Sequence, residues 1–349
     1  MQEPVSCLQG LLHARAGGFF ELLPAQYVRY LVTVASVSTF CYPSGSRKWV
    51  SRRVRLVAMS AMLAGVARPW MRAAGSCALL RRVVAAKPLI LEKPFRPLGA
   101  LGMGFRERAR LVLDHYAVIH ETVPACTCDR IYLSGGLTWQ FGDGRYVLRL
   151  ADSGPNPKEG ELAFYWTDTE TGACLTQLSF YLRRGAQGPE IFIGGLQGPM
   201  NEASRDWIRT ATKACEGLRP KDVAMEALLA FAASVGVRRI QAVSRANHVG
   251  RQRNTPRDIH ADYEGFWMEY HGVPLPDGNI EIPVQQPLRD IAEIPSKKRS
   301  AWRRKQAMVE SIHMAVGSGL GADGDELCDE SGNEGGRDFR VTPAIGVAA

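Results

Sequence analysis

Arg219 and Lys221 flank Pro220 in the run Gly217-Leu218-Arg219-Pro220-Lys221, where the sequence predicts a helix to begin. A helix start presents unpaired backbone N–H groups and the positive end of the helix dipole. Two cations placed there suit a phosphate or a carboxylate. The same run also serves as a plain helix–helix turn, with Gly217 ending one helix and Pro220 opening the next. Upstream, Gly194-Gly195-Leu196-Gln197-Gly198-Pro199 closes an apolar stretch. Glycines there allow a ligand close to the backbone, or a sharp turn, and Gln197 can hydrogen-bond a ligand. Because both segments flank one helix, the expectation is a single anion pocket built from Arg219, Lys221, Gln197 and Gly198. His248 lies just past Val237–Ser244, which reads as a strand. It is the candidate general acid or base, with a packed or surface role as the alternative. Glu264 and Glu269 lie five apart and so do not share a helical face as a carboxylate pair.

A second kind of chemistry is suggested near the C-terminus. Ser296-Lys297-Lys298-Arg299-Ser300-Ala301-Trp302-Arg303-Arg304-Lys305 is the densest basic run. Lys297, Lys298, Arg299, Trp302, Arg303 and Arg304 suit a solvated helix face, an anionic lipid surface or a nucleic acid. A tryptophan among basic residues fits a membrane interface and also base stacking. With no helix-turn-helix, zinc-finger or RNA-binding signature beside it, nucleic acid is the least favoured partner.

Elements must position these residues. Residues 1–90 are predicted mostly helical, with breaks at Pro24, Pro43-Ser44-Gly45-Ser46 and Pro69, and Leu56–Ala67 as an apolar run with Arg52, Arg53 and Arg55 before it. That run is too short to span a bilayer, and a buried helix or a membrane-surface helix are its two readings. A helix follows over 105–120. The texture changes near Ile131, where five short strands are expected as an antiparallel meander. Gly142-Asp143-Gly144 is the clearest hairpin signal among them. Two helices come next. Ala203, Trp207, Ile208, Ala211, Ala214 and Cys215 form the apolar stripe of the first, and Arg205, Arg209 and Lys213 its basic ridge. A strand over 237–244, an aromatic helix over 262–270, a last strand over 279–283 and a basic helix over 297–313 complete the order. The predicted class is therefore α+β, an N-terminal helical region followed by a meander with helices. The expected division is 1–90, 91–312, and an acidic, Gly-rich, disordered tail over 313–349.

Several segments together carry a family resemblance. They are IGGLQGPMNEASRDWIRTATKACEGLRPK (Ile193–Lys221), VSRANHV (Val243–Val249), DYEGFW (Asp262–Trp267) and EIPSKKRSAWRRK (Glu293–Lys305). In that order and spacing they resemble the VirK/YbjX family of Gram-negative bacteria, over about residues 90 to 312. The resemblance implies a cytoplasmic protein of virulence, envelope maintenance or envelope stress, including resistance to cationic antimicrobial peptides. It implies no known chemistry, so whether the chain is an enzyme stays open. The element order is also similar to the fold of GNAT-type acetyltransferases, and Asn247, Tyr263-Glu264-Gly265-Phe266-Trp267 and His271-Gly272-Val273 look like their late Asn…Tyr…Gly-Phe segment. One departure concerns the phosphate loop of those enzymes, an Arg/Gln-x-x-Gly-x-Gly/Ala run directly after the central strand. Here a whole helix intervenes, and Gly217–Lys221 holds one glycine.

Composition sets the remaining bounds. The 349 residues, 46% hydrophobic and 22% charged, belong to a folded protein of one large or two modest domains. The net charge of +8 understates the body's basicity, because the tail beyond residue 315 is acidic. An anionic partner follows: an acyl carrier, a phosphosugar or a lipid head group. The eight cysteines include one lone C-x-C, Cys126 and Cys128, which supports no zinc or redox site and fits a reducing cytoplasm. No metal motif occurs, no G-K-[ST] phosphate loop is present, and no cofactor is specified. The first dozen residues include Glu3 and lack a basic start leading into an apolar core, so no leader is expected. The localisation expected is cytoplasmic, with peripheral contact at the inner membrane as its variant.

Overall fold

The structure, a computed structural model, describes residues 25–45, 48–199, 204–251, 262–287 and 290–321. Of the tail expected over 313–349 only the part from residue 322 lies outside them, as does Ala203.

The chain begins with helices: α1 (Ala25–Cys41), α2 (Trp49–Met62), α3 (Ala64–Ser76) and α4 (Ala78–Ala86), then a 3-10 segment over Pro88–Phe95. The apolar run Leu56–Ala67 is not one helix. It breaks at Leu63, whose φ of −108° and ψ of 34° end α2 and start α3. Leu56, Ser60 and Ala67 are buried, while Met62 at the joint is 79% exposed. Pro69 does not break the chain either and sits inside α3. So near the helix start it forgoes one bond, to the carbonyl of Gly65. Buried Trp70 then ties α3 to the 3-10 segment, donating from Nε1 to the Leu91 carbonyl at 3.0 Å. Helices α5 (Phe105–Thr122) and α6 (Ala125–Leu133) lead into the sheet.

The meander is present as predicted: β1 (Leu137–Phe141), β2 (Tyr146–Asp152), β3 (Leu162–Asp168), β4 (Ala173–Gly185) and β5 (Gly188–Gln197), each antiparallel to the next. Positive φ at Gly142, Asp143 and Gly144 makes the first turn left-handed, which explains its composition. Helices α7 (Ser204–Ala214) and α8 (Pro220–Ser234) then carry the chain across the sheet to β6 (Arg239–Ala242), which pairs parallel with β5. After α9 (Tyr263–Glu269), β7 (Val273–Pro274) and β8 (Ile280–Ile282) complete one eight-stranded sheet ordered β1-β2-β3-β4-β5-β6-β8-β7. The strand expected over 279–283 is thus internal, and β7 forms the edge. The fold is α+β.

Helix α8 is apolar nearly all round because it is covered on two sides. Phe231 packs edge-on to Phe164 and Phe180, with centroids 6.3 and 5.3 Å away. Its other side meets α10 (Arg299–Leu320). That last helix runs past residue 313, and Ile312, Val316 and Leu320 are buried. One buried hydrophobic cluster extends from Val37 to Leu320, so it crosses both residue 90 and residue 312.

Candidate functional site

The parallel strands β5 and β6 stay paired from Glu190–Arg239 to Ile193–Ala242, with one further bond from Val243 N to the Ile193 carbonyl at 2.9 Å. Beyond that point they part. Strand β5 continues to Gln197 against β4 alone, through a bulge that pairs Ser179 with Gly195 and Phe180 with Ile193. Gly194 is the extra residue of the bulge. The β2–β3 loop, residues 153–161, presses into this parting. A Cβ on Gly194 would lie 2.1 Å from the Glu159 carbonyl oxygen, and one on Gly195 would lie 2.1 Å from Glu159 Oε2. The glycines are therefore required by the chain's own loop, whatever a ligand does.

The loop is held on every side. Ser153 Oγ donates to the Gly160 carbonyl, Asn156 Nδ2 to Gln177 Oε1 at 2.9 Å, and Gly99 N to the Lys158 carbonyl at 2.8 Å. These bonds deliver the Glu159 carboxylate into a buried position. Gln197 Nε2 donates to both of its oxygens, at 3.0 and 3.1 Å. His248 Nε2 lies 3.4 Å from Glu159 Oε1. The structure thus brings two of the expected site residues, Gln197 and His248, together on a third that the sequence reading did not single out.

The hydrogen bonds fix the histidine's role. Nδ1 of His248 accepts from Gly250 N at 3.1 Å, so the ring proton sits on Nε2. That Nε2–H is buried and makes no hydrogen bond among the described residues. The lone pair expected to act as a base is already in use. In this pair the group with acceptor capacity is Glu159, and His248 supplies an unpaired donor beside it. Tyr263 closes the parting: its hydroxyl bonds to Leu196 N and to the Leu196 carbonyl, both at 3.2 Å, and its ring lies 5.4 Å from His248. Burial raises its pKa, which keeps the hydroxyl protonated.

Arg219 and Lys221 sit elsewhere, at the far end of α9. Arg219 donates to both oxygens of Asp222, at 2.7 and 2.6 Å, and pairs with Glu269. Lys221 Nζ is 3.7 Å from Glu269 Oε1 and 4.3 Å from the Phe266 ring centroid. The Arg219 hydrogen bond holds the Glu269 carboxyl below its usual range. The start of α8 already has an anion too, because Asp222 accepts from Arg219 N at 3.1 Å. These cations are therefore engaged by the chain's own carboxylates. Tyr263 and Glu269 stand at opposite ends of α9, about 9 Å apart along its axis, so the Arg219–Lys221 pair and the Gln197–His248 pair form two groups. Gly198 faces open space.

In the basic run, Lys297 and Lys298 occupy an exposed 3-10 turn and Arg303 is exposed on α10. Arg299 donates to the Ile294 carbonyl, Arg304 pairs with Glu216 at 2.8 Å, and Trp302 is half-buried. Among the described residues no group of three or more His, Cys, Asp or Glu side chains is placed to hold a metal ion. None of their helices is long and apolar enough to cross a membrane.

Comparison with known proteins yields relatives without an assigned chemistry. The uncharacterized protein YbjX of Escherichia coli K12 is 30% identical over 269 residues, 75% of this chain and 81% of its own. An uncharacterized protein of Haemophilus influenzae is 26% identical over 176 residues, 50% of this chain and 58% of its own. No solved structure matches the chain. A family model described as a protein of unknown function, DUF535, matches residues 45–318, most of the sequence, and the chain belongs to that family.

Proposed function

We propose that the chain is a group-transfer enzyme with a GNAT-like core, acting at the parting of β5 and β6. The carrying observation is the Glu159–His248 pair, an acceptor and a donor unpaired among the described residues, 3.4 Å apart and buried where two parallel strands separate. The carboxyl ends of adjacent parallel strands are a common site address. In this reading Glu159 takes the proton from an acceptor amine or hydroxyl as that atom bonds to an acyl carbon. The bond from carbon to its carrier breaks, and the proton passes from Glu159 to the departing group. The Nε2–H of His248 donates to the carbonyl oxygen while it carries negative charge. The antiparallel meander, the single parallel pair among the described strands and the β8-β7 edge support the GNAT-like assignment. Phosphates of an acyl carrier would meet Arg219 and Lys221 by displacing Glu269.

Release of free thiol from acyl-CoAs in the presence of an amine panel tests this reading. Glu159→Gln is expected to lower the rate at least ~100-fold, the loss typical of a missing general base. Glu269→Gln is expected to tighten carrier binding several-fold, and Arg219→Ala to weaken it. Wild-type protein that neither releases thiol nor binds any acyl-CoA would remove the proposal.

A second reading, peripheral contact with an anionic bilayer in bacterial envelope maintenance, is supported by the helical layer. Helices α1 to α4 carry eight arginines (Arg29, Arg52, Arg53, Arg55, Arg68, Arg72, Arg81 and Arg82) and no acidic residue. On α2 the exposed Val50, Val54 and Met62 lie along one outward face, with Arg52 and Arg55 exposed at its flank. Aliphatic side chains beside arginines suit a lipid interface better than a nucleic acid. Co-sedimentation with phosphatidylglycerol vesicles, but not phosphatidylcholine vesicles, is expected. Val54→Glu with Met62→Glu should abolish it, whereas the C-terminal version of this reading predicts loss on Lys297→Glu with Lys298→Glu and Arg303→Glu. Equal recovery with neutral and anionic vesicles would dismiss both.

A further inference from the structure

The two edges of the sheet are built differently. At one stands β7, two residues long and ending in Pro274. Proline offers no N–H to a neighbouring strand, and so short an edge gives another chain little to pair with. At the other stands β1, Leu137–Phe141, paired with β2 on one side and with no described strand on the other. Proline, charge and bulge are all missing there. The β1–β2 register is unbroken, and no proline or charged side chain lies between Arg130 and Asp143. The backbone groups on the free side of β1 are a template for a further strand.

The side chains of β1 alternate between two faces. Leu137, Trp139 and Phe141 share the core face. There a Cβ on Gly319 of α10 would lie 2.7 Å from Trp139 Cζ2, and the Phe141 ring lies 5.6 Å from that of Trp166. Leu137 is buried, but Trp139 and Phe141 are only half-buried, so apolar surface remains open on both. Thr138 and Gln140 are exposed on the opposite face. Arg149, the β2 neighbour of Thr138, is turned onto the Gly135 carbonyl and the Tyr165 ring, 4.6 Å from its centroid.

This strand matches itself when reversed. In an antiparallel pair centred on Trp139, Leu137 stands opposite a second Phe141, Thr138 opposite a second Gln140, and Trp139 opposite its own equivalent. Apolar meets apolar on one face, polar meets polar on the other, and an aromatic pair sits on the two-fold axis. The flanks fit as well. The same register sets Gly142 and Asp143 of one copy against Gly136 and Gly135 of the other, which carry no side chains, and a Cβ on Gly135 would meet open space. Charge favours the same partner. With a formal charge of +8 on each copy, two chains approach at least cost along an uncharged strip.

We propose that β1 is a homodimer interface, where a second copy of this chain adds its own β1 antiparallel about a two-fold axis at Trp139 and joins two eight-stranded sheets into one. The contact rests on neither the transferase nor the membrane reading, and its test reads association alone. A five-residue edge is smaller than the roughly 800 Å² per partner of a standard interface, so the dimer is weak and forms as concentration rises. Sedimentation equilibrium of the full chain from ~1 to ~300 µM covers that regime. Thr138→Glu with Gln140→Glu sets carboxylates against each other across the axis and is expected to raise the dimer Kd about tenfold or more. Both positions are exposed, so far-ultraviolet circular dichroism should stay unchanged. Thr138→Glu with Gln140→Lys sets opposite charges together in the same register and is expected to dimerise at least as tightly as the wild type. Any of three results overturns the proposal. The first is a wild type that stays monomeric throughout, in favour of a strand from another protein or from elsewhere in this chain. The second is wild-type association of the double glutamate variant. The third is a glutamate–lysine variant as weak as the double glutamate one.

Discussion

Gly194→Ala is expected to destabilise the protein by about 3 kcal/mol, the upper part of the range for overpacking a site that cannot relax. The new methyl would sit 2.1 Å from the Glu159 carbonyl oxygen and 2.9 Å from its carbonyl carbon. Both neighbours are backbone, so no side-chain rotation relieves the clash. The 153–161 loop must move, and Glu159 moves with it away from Gln197 and His248. Gly198 is the control. It faces open space at the end of the same strand, so Gly198→Ala is expected to leave stability unchanged or slightly raised. Urea denaturation of both variants decides the matter, read as midpoints at constant slope. A Gly194→Ala protein within about 0.5 kcal/mol of wild type would mean that the loop does not press on the strand as described.

The second large effect is acid lability centred on His115. This imidazole has no exposed surface, and burial, helped by the nearby Lys93 charge, lowers its pKa well below 6.5. The unfolded chain therefore binds one proton more than the folded chain between the folded value and 6.5. Stability rises with pH across that interval, so it falls as pH drops below 6.5, by about 1.4 kcal/mol per pH unit. Above 6.5 the group adds no slope. Glu92 adds to the loss at still lower pH. Its folded pKa is depressed, so its contribution is present above the ordinary carboxylate range and is lost as pH falls through the folded value. Denaturation at pH 7.5, 6.5, 5.5 and 4.5 measures the slope. His115→Gln should flatten the profile between 6.5 and 4.5 while lowering stability at pH 7.5. An unchanged slope in the variant would assign the acid lability to another group.

Both predictions turn on a residue that the sequence alone passed over, Glu159 in the first and His115 in the second, and the reason is physical. Glu159 lies in a loop between two strands, with nothing in its spacing to mark it. It becomes notable only because the bulge at Gly194 and the loop's own bonds place it on Gln197, 38 residues further along the chain. His115 lies on the apolar face of α5 and reads as one more core position until its partners, Leu182 and Tyr132, are known. Arg219 and Lys221 illustrate the converse. Their charges and the helix start are legible in the chain, but Glu269, which pairs with both, lies about fifty residues downstream.

The sequence by itself determined the local elements: the hairpin at Gly142–Gly144, the meander, the helix opened by Pro220 and the basic α10. Each rests on turn chemistry, capping or periodicity within a few residues. It also carried the family, because ordered motifs survive in the linear string. Only the tertiary structure decided that β5 and β6 run parallel and part at Gly194, that β8 is internal to the sheet, and that one core joins the helical region to the sheet. It likewise decided which charges are engaged and which donors remain unmatched, because a hydrogen bond or ion pair depends on contacts between residues far apart in the chain, and periodicity does not encode them.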